Sequence, residues 1–473
     1  MEDMDPEDYR PYYHFTPPQN WMNDPNGLVH FEDEYHLFYQ HNPYGKEWGH
    51  MSWGHAVSQD LLVWEHLPLA IPEEPRHGYT IFSGSAVIDH MNSSGLGRGK
   101  QPVMVAIYTA DTREQHLEDI HIAYSTDGGR TFDAYRKNPV ISTGESKFGD
   151  PKVFWHAATE RWVLVAICGH EQGHVAIYGS SDLVRWSLLS EFHAPDQAPH
   201  VWECPDLFPL AVDDDAEQIK WVLKTNWVNP GSGESGTSYF IGDFDGAVFS
   251  NAVPTGEALT ARGGAIYAEV SYNDAPDDQR ILMGWLRQAP HPERPWTGAQ
   301  ALPRLLTLRS TPTGVTLCQE PLPDLEELRY AGSELGAQVM LPDQDILLDH
   351  LDLSQRAIEI DLAVEATEHC VCGLRLDLTD NGWITISYDA DQAEVCFTSS
   401  DGQKICTTPR LRERILRLRI FLDQELVEVF ANRTGGLTAC MPFGSGYERL
   451  SFYARHAAAT LLSLSAWTLG EES

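Results

Sequence analysis

A short pattern that occurs three times in the first half of the chain constrains the fold more than any other feature. In each copy a small or aromatic residue precedes Ser, Asp, a turn and a further aromatic residue. The copies are AVSQDLLVWEHL (56–67), AYSTDGGRTFDAY (123–135) and YGSSDLVRWSLL (178–189). Repeats on this scale, each holding several short strands, are typical of propeller blades, which bury their faces by stacking around an axis. A hairpin turn used three times would leave the same pattern.

Strand-length apolar runs separated by turn residues fill the first 310 residues. Examples are LVHFEDEYHLFYQ (28–40), RWVLVAIC (161–168) and IKWVLKTNW (219–227), which are rich in β-branched and aromatic residues. At the period of the repeat, this part of the chain would hold about five blades. The sequence therefore predicts a five-bladed β-propeller over residues 1–310.

The chain changes character after residue 310. Prolines, glycines and a short acidic stretch at 311–335 predict a linker. Beyond it, runs such as AIEIDLAV (357–364) and WITISYD (383–389) alternate apolar and polar residues, which indicates strands with one buried face. We therefore expect an all-β chain whose C-terminal domain, residues 336–473, is a β-sandwich.

Net charge narrows the class of partners. The 473 residues include 33 Lys and Arg against 69 Asp and Glu, a formal net charge of −36. Such a chain repels nucleic acid and anionic membranes, so neither is expected as a partner. No run of about 18 apolar residues occurs, so no membrane span is expected either.

Two further features of the sequence bear on the compartment. The N-terminus, MEDMDPEDYRPYYHF, is acidic and has no apolar core segment, so we expect no secretory signal peptide and a cytoplasmic protein. Eight cysteines are scattered without a paired CxxC pattern. In a chain of this size we expect them to be mostly reduced, buried and small apolar in character.

Three acidic residues stand in distinctive settings far apart in the sequence. Asp24 lies in WMNDPNG, Asp150 in KFGDPKVFW and Glu203 in WECPDLFPL, each before or within an apolar strand-like run. First strands of different blades line one central channel, so these carboxylates would converge at one end of it. Converging carboxylates are what glycoside cleavage requires, since one attacks the anomeric carbon and another protonates the leaving oxygen.

These motifs and several others make the chain similar to glycoside hydrolase family 32, the family of invertases, levanases, inulinases and other β-fructofuranosidases. The resemblance covers nearly the whole chain and implies a five-bladed propeller with a C-terminal β-sandwich. Besides the three acidic motifs, the segments that carry it are FYQHNP (38–43), WGHAVS (53–58), FSGSAV (82–87), ILMGW (281–285), ALPRLLTL (301–308) and VEVFANRTG (427–435).

The resemblance implies a role for each matching residue. Asp24 matches the nucleophile, and donors such as Asn23 should keep its pKa low. Glu203 matches the acid/base and Asp150 the group that stabilises the transition state. The positions that match fructose-binding residues are Asn23, Gln40, Trp48 and Ser83. The resemblance implies neither a metal nor a cofactor.

Two positions depart from the family pattern. Gly149 stands where the family has an Arg before Asp150, and Ala265 stands where the family commonly has an Asp. One hypothesis is that the two lost charges were partners, so that losing both leaves no buried orphan charge. The other is that Arg262 or Lys147 occupies the vacated place. Either way, the departures bear on the substrate more than on the reaction.

The resemblance predicts a retaining exo-acting β-fructofuranosidase that releases terminal fructose from sucrose and fructo-oligosaccharides. A fructosyltransferase and a non-catalytic fructan-binding protein remain alternatives. Retention of both Asp24 and Glu203 argues against a pure binding protein. The Asp-box-like STDGGRTF (125–132) also allows a propeller glycosidase of another kind. The expected partner is a small carbohydrate, and the chain could act as a monomer or a homodimer.

Overall fold

The structure, a computed structural model, describes residues 6–73, 78–112, 116–170, 173–194, 200–251, 257–312, 314–348, 351–409 and 415–470. Strands dominate these ranges. Short 3-10 helices lie at Pro6–Tyr9, Ala157–Thr159, Pro276–Asp278, Pro323–Leu328 and Leu353–Gln355. Within the described residues, no helix has the length and apolar character needed to cross a bilayer.

The chain folds into two compact units that interleave in sequence. The first unit comprises Thr16–Ala258 and Tyr267–Thr316. The second comprises the N-terminal residues through Phe15, the short segment Leu259–Ile266, and the chain from Leu317 onwards. The domain boundaries drawn from the sequence stay predictions. The predicted domains are successive segments of the chain, whereas in the structure the N-terminal residues pack with the C-terminal unit.

Antiparallel sheets form the blades of the first unit. Blade 1 contains β1 (Asn20–Phe31), β2 (Glu34–Asn42), β3 (Ser52–Ser58) and β4 (Glu65–Ile71). Blade 2 contains β5 (Tyr79–Asp89), β6 (Val103–Thr112), β7 (Glu118–Ser125), β8 (Asp133–Ala134) and β9 (Ile141–Ser142). Blade 3 contains β10 (Phe148–His156), β11 (Arg161–Cys168), β12 (His174–Ser180) and β13 (Ser187–Phe192).

The last two blades share one continuous sheet. Their strands are β14 (Val201–Val212), β15 (Asp215–Val228), β16 (Ser235–Phe244), β17 (Phe249–Asn251), β18 (Glu257–Ala258), β19 (Ile266–Ser271), β20 (Ile281–Leu286), β22 (Ala299–Gln300), β23 (Arg304–Thr311) and β24 (Gly314–Pro321). Strand β21 (Trp296–Thr297), which follows β20 in the chain, belongs to the sheet of blade 1. A parallel contact between Val212 and Leu308 joins blade 4 to blade 5. The predicted five-bladed propeller is thus confirmed.

Successive side chains of one strand pack against different neighbouring blades. In β11, Leu164 and Ala166 belong to an apolar cluster that also contains Val105 of β6 in blade 2. Val163 and Val165 of the same strand belong to a cluster that extends to blade 4. Because neighbouring residues of a strand point to opposite faces, one apolar strand fills the space on both sides of its blade.

The ring closes between the first and last blades. Strand β21 pairs in parallel with Asn20 and Trp21 at the start of β1. Gly298, which follows β21, has φ +90°, and a Cβ there would lie 2.3 Å from the backbone oxygen of Met22. Only glycine allows this close approach at little cost. Gln300 adds a hydrogen bond from its Nε2 to the backbone oxygen of Asn23, at 2.9 Å.

The repeated sequence pattern marks the same turn in blades 1 to 3, between the third and fourth strands. In each turn a Ser hydroxyl donates to an Asp carboxylate two residues later, and that carboxylate accepts backbone N–H groups of the turn. The pairs are Ser58–Asp60 at 2.9 Å, Ser125–Asp127 at 2.7 Å and Ser180–Asp182 at 3.1 Å. The pattern therefore marks both repeated propeller blades and a repeated hairpin turn, because the same turn connects the last two strands of each of these blades.

Two sheets form the sandwich of the second unit. One contains β25 (Arg329–Leu335), β26 (Gln338–Met340), β28 (Ala357–Ala366), β33 (Ile415–Asp423), β34 (Leu426–Ala431), β35 (Gly435–Cys440) and β37 (Ala459–Leu469); the other contains β27 (Gln344–Leu347), β29 (Val371–Leu378), β30 (Trp383–Asp389), β31 (Glu394–Ser399), β32 (Lys404–Thr407) and β36 (Tyr447–Arg455). Apolar residues of both sheets, such as Ile360 and Leu374, share one core. The predicted sandwich is confirmed.

Two of the eight cysteines form a disulfide and the other six are free, so the expectation of mostly reduced cysteines is confirmed with this pair as the exception. Cys396 and Cys406 lie opposite each other on β31 and β32, with their Cα atoms 4.1 Å apart. The six free cysteines are buried or half-buried, as expected. The pairing depends on the register of one hairpin, which the scattered positions in the sequence do not reveal.

A buried histidine fastens the N-terminal segment to the sandwich. The ring of His14 lies 2.8 Å from an oxygen of Asp423 and 3.0 Å from an oxygen of Glu428. The backbone N–H groups of Tyr12 and Tyr13 also donate to Asp423. Burial alone would lower the pKa of His14, but the two carboxylates raise it to about 9. The imidazolium form is therefore the one that this site stabilises.

The contacts of His14 with Asp423 and Glu428, which we call the His14 clamp, make part of the stability of the sandwich unit depend on pH. Because the pKa of His14 is raised on folding, its contribution is complete below a pH of about 6.5 and is lost as pH rises through 9. We expect the free-energy loss caused by His14→Gln to be larger at pH 6 than at pH 10, by about 3 kcal/mol.

Chemical denaturation of parent and variant at the two pH values measures this difference. His369→Gln is the matched control, since His369 forms an exposed pair with Asp391. An exposed pair contributes little, so its loss should be small at both pH values. Equal losses for His14→Gln at pH 6 and pH 10 would contradict the clamp.

Candidate active site

Each blade contributes one polar side chain from its first strand to a single cluster. The carboxyl groups of Asp24, Asp150 and Glu203 lie within electrostatic reach of one another, and hydroxyl groups from other blades hydrogen-bond to two of them. The five residues are Asp24 on β1, Ser83 on β5, Asp150 on β10, Glu203 on β14 and Tyr267 on β19. The structure thus brings together the three acidic residues that the sequence singled out.

In four blades, the pairing of the first strand with the second slips at the site residue. A slip of this kind, or β-bulge, leaves a residue outside the ladder and re-aims its side chain. The slips lie between Met22 and Pro25, Ile81 and Gly84, Gly149 and Lys152, and Glu203 and Asp206. The local irregularity therefore releases Asp24, Ser83 and Asp150 from the alternation that governs the rest of each strand. Glu203 itself still pairs with Asn226, and the slip in blade 4 begins after it.

The backbone at the slips adopts conformations that are uncommon for non-glycine residues. Asp150 and Cys204 have φ values of 52° and 46°, and Ala268, on the first strand of blade 5, has a φ of 52°. Such left-handed backbone costs roughly 1–2 kcal/mol per residue. Pro151 and Pro205 follow two of these residues and have no N–H to donate to the ladder. The Asp-Pro and Cys-Pro pairs therefore mark where the first strand departs from regular pairing.

The carboxyl group of Asp24 accepts two hydrogen bonds. Ser83 Oγ donates to Oδ2 at 2.6 Å, and Asn23 Nδ2 donates to Oδ1 at 3.1 Å. Burial nevertheless raises the pKa of Asp24 to about 7, with further increases from the charges of Asp150 and Glu203. The expectation of a low pKa is therefore wrong. The two donors lower the pKa as expected, but burial and the neighbouring carboxylates outweigh them.

Asp150 is connected to the blades on both sides. Its Oδ2 accepts the backbone N–H of Cys204 in blade 4 at 3.0 Å. Its own N–H donates to Thr109 Oγ1 of blade 2 at 2.8 Å, and the Thr109 hydroxyl donates to the backbone oxygen of Ser83. Burial raises the pKa of Asp150, and the charge of Lys147 partly counters the increase. No motif singles out Thr109, whose hydroxyl connects two site residues.

Both oxygens of the Glu203 carboxyl group are held by donors. The hydroxyl of Tyr267 donates to Oε2 at 2.7 Å, and Lys147 Nζ lies 3.1 Å from Oε1. The guanidinium of Arg287 lies 5.2 Å from the centroid of the Tyr267 ring and donates to Ser235 Oγ. The sequence reading missed Tyr267 as a site residue. Its contact with blade 4 exists only in the assembled ring.

The predicted fructose-binding residues divide into two groups. Asn23 and Ser83 contact Asp24 directly, and Trp21 Nε1 donates to Asn23 Oδ1 at 2.7 Å. Gln40 is buried on β2, and its Nε2 lies 3.0 Å from the amide of Asn26. Trp48 is 60% exposed, with its ring 6.0 Å from that of Phe82. Its indole is thus free of the core and accessible to a ligand.

The structure separates the two cations considered for the place that Gly149 leaves vacant. Lys147 lies beside Glu203 in the first unit. Arg262 and Ala265 belong to the second unit, where Arg262 is exposed. A role for Arg262 and the idea that two lost charges were partners both stay predictions.

Comparison with known proteins identifies both units. Residues 14–321 match the glycosyl hydrolases family 32 N-terminal domain, and residues 325–468 match the family 32 C-terminal domain. The chain is 41% identical over 449 residues to a levanase of Bacillus subtilis, which covers 90% of this chain and 65% of the levanase. It is 40% identical over 353 residues to an extracellular exo-inulinase of Aspergillus niger, covering 66% of this chain and 64% of that protein. The chain thus spans about two thirds of the length of these relatives.

Solved structures show the same architecture. The exo-inulinase of Aspergillus awamori superposes with a TM-score of 0.87 at 29% identity, covering 98% of each chain. The fructofuranosidase of Schwanniomyces occidentalis, solved with fructose bound, superposes with a TM-score of 0.89 at 27% identity, covering 99% of this chain and 100% of that one. Both family domains therefore match in sequence and in fold, and the chain belongs to glycosyl hydrolase family 32.

Proposed function

We propose that the protein is an exo-acting β-fructofuranosidase that releases terminal fructose from sucrose and fructo-oligosaccharides with retention of configuration. The observation that carries the proposal is the pair Asp24 and Glu203 in one cluster, each held in a different way. Asp24 accepts hydrogen bonds from Ser83 and Asn23, while Glu203 contacts Tyr267 and Lys147. A fructan-binding protein would have no need for two such differently supported acids.

In this mechanism Asp24 is the nucleophile. An oxygen of its carboxylate attacks the anomeric carbon of the terminal fructose and forms a fructosyl ester, while Glu203 gives its proton to the leaving oxygen. In the second step Glu203 takes a proton from water, and the resulting hydroxide attacks the anomeric carbon and releases Asp24. Asp150 would hold fructose hydroxyls while positive charge develops at the anomeric carbon. Asn23, Gln40 and Trp48 would complete the sugar contacts.

The names of the relatives support a fructoside substrate. A levanase and exo-inulinases are among them, and a related fructofuranosidase was solved with fructose bound. Gly149 stands where the family pattern has an Arg, and the loss of that charged, bidentate donor favours a difference in substrate preference over a difference in reaction.

Fructose release from sucrose, 1-kestose, inulin and levan tests the proposal, with Asp24→Asn and Glu203→Gln beside the parent. We expect release by the parent, a loss of about 10²–10⁴-fold for Glu203→Gln, and a loss of at least about 10³-fold for Asp24→Asn. Transfer of fructose to a second sugar instead of water would identify a fructosyltransferase. Binding of fructans without release by the parent would identify a binding protein.

The acidic side of the pH–rate profile gives a second test. Burial raises the pKa of Asp24 and the Ser83 hydroxyl lowers it, so removal of the hydroxyl should leave less ionised nucleophile at low pH. For Ser83→Ala we expect the acidic limb of kcat/KM to move to higher pH by roughly one unit. Activity should therefore fall more at pH 5 than at pH 8. Ser83→Thr keeps the donor and is the matched control, and an unmoved limb in Ser83→Ala would contradict Asp24 as the ionised group.

A further inference from the structure

A lysine three residues before Asp150 lies against the proposed acid/base. Lys147 immediately precedes β10, and only 16% of its side chain is exposed. Its Nζ lies 3.1 Å from Oε1 of Glu203. Burial would lower the pKa of Lys147, but the charges of Glu203, Asp150 and Glu118 raise it well above its ordinary value. Lys147 is thus a fixed cation among three carboxyl groups.

Glu118 faces the same lysine from blade 2. It is the first residue of β7, and its Oε2 accepts the backbone N–H of Phe148 at 2.8 Å, which fixes the carboxyl group beside the start of β10. Burial raises the pKa of Glu118 to about 7, while the charge of Lys147 acts in the opposite direction. The mechanism described above makes no use of Glu118. Glu118 is thus the third carboxyl group, after Glu203 and Asp150, that acts on Lys147.

The space between these groups has no room for a side chain at position 149. A Cβ on Gly149 would lie 2.7 Å from Thr109 Oγ1, 2.9 Å from Thr109 Cγ2 and 3.3 Å from Glu118 Oε2. Thr109 could not retreat without loosening its contacts to Ser83 and Asp150. The site is therefore packed around a glycine, and its cation comes from two residues earlier in the chain.

We propose that Lys147, supported by Glu118, is a positioning residue that fixes the plane of the Glu203 carboxyl group for proton transfer to the leaving oxygen. The inference rests on the proposed function. A carboxyl group that accepts one donor on each oxygen cannot rotate freely, and it retains lone pairs to carry a proton toward the substrate. Without Lys147, Tyr267 alone would hold Glu203, and small losses of orientation are costly in proton transfer.

The test compares two substrates that differ in their need for an acid. Sucrose requires protonation of its leaving oxygen, whereas β-fructofuranosyl fluoride loses fluoride without it. We compare kcat/KM, which reports the steps up to the fructosyl ester. For Lys147→Met we expect a loss of about 10–100-fold on sucrose, a part of the whole acid/base contribution, and about 3-fold or less on the fluoride. Lys147→Arg should recover most of the activity on sucrose, since it restores a cationic donor.

Glu118 is tested by a double-mutant cycle. Glu118→Gln keeps an acceptor for the N–H of Phe148 but removes the charge that faces Lys147. We expect a smaller loss on sucrose than for Lys147→Met, and in the double variant a loss well below the product of the two single losses, because both act through one contact. Lys220→Met, which breaks an exposed pair with Asp243, is the control and should leave kcat/KM unchanged.

The outcomes separate this proposal from the proposed function. An active parent with equal losses on sucrose and on the fluoride in Lys147→Met would overturn the positioning role alone. If the loss of kcat/KM on sucrose in the double variant equals the product of the two single losses, the supporting role of Glu118 is overturned. If Lys147→Met does not fold, as judged by its thermal unfolding, the substrate comparison in Glu118→Gln and Lys147→Arg decides. A parent inactive on both substrates would overturn the proposed function and this inference with it.

Discussion

Burial of several carboxyl groups within electrostatic reach of one another is the constraint on which the site depends. Each charge opposes the ionisation of the others, and burial adds to the effect, as the raised pKa of Asp24 shows. Each of the three carboxyl groups accepts one compensating donor from the following blade. Blade 2 supplies Ser83 to Asp24, blade 4 supplies a backbone N–H to Asp150, and blade 5 supplies Tyr267 to Glu203. The arrangement is therefore a property of the assembled ring and of no single blade.

Polar contacts a few residues beyond the site residues also hold the first strands in place. Lys152, two residues after Asp150, lies 3.8 Å from Asp206, whose carboxylate accepts the backbone N–H of Ser271 at 2.7 Å. Burial lowers the pKa of Lys152 to about 8. The amide of Asn273 donates to the backbone oxygens of Ala86 on β5 and Val153 on β10. Directional contacts of this kind specify relative strand positions more narrowly than apolar packing does.

Sequence reasoning recovered what is encoded locally. Period-two runs predicted the strands, and the Ser-Asp turn predicted the blades. Asp24, Asp150 and Glu203 stood out as acidic residues before or within strand-like runs. Features that depend on contacts between distant segments were missed, among them the disulfide of Cys396 and the hydroxyls of Tyr267 and Thr109. The pKa of Asp24 could not be predicted from the sequence either, because it depends on burial and on neighbouring charges that only the folded ring determines.

The closure of the ring links catalysis to the order in which the chain is made. The strand that carries Asp24 is synthesised before the other strands of the ring, yet its hydrogen-bonded neighbour, β21, begins at Trp296. Gln300, whose amide binds the backbone beside Asp24, is later still. A nascent chain therefore contains the proposed nucleophile long before it contains the residues that hold its strand, so the site can be complete only after the last blade has been made.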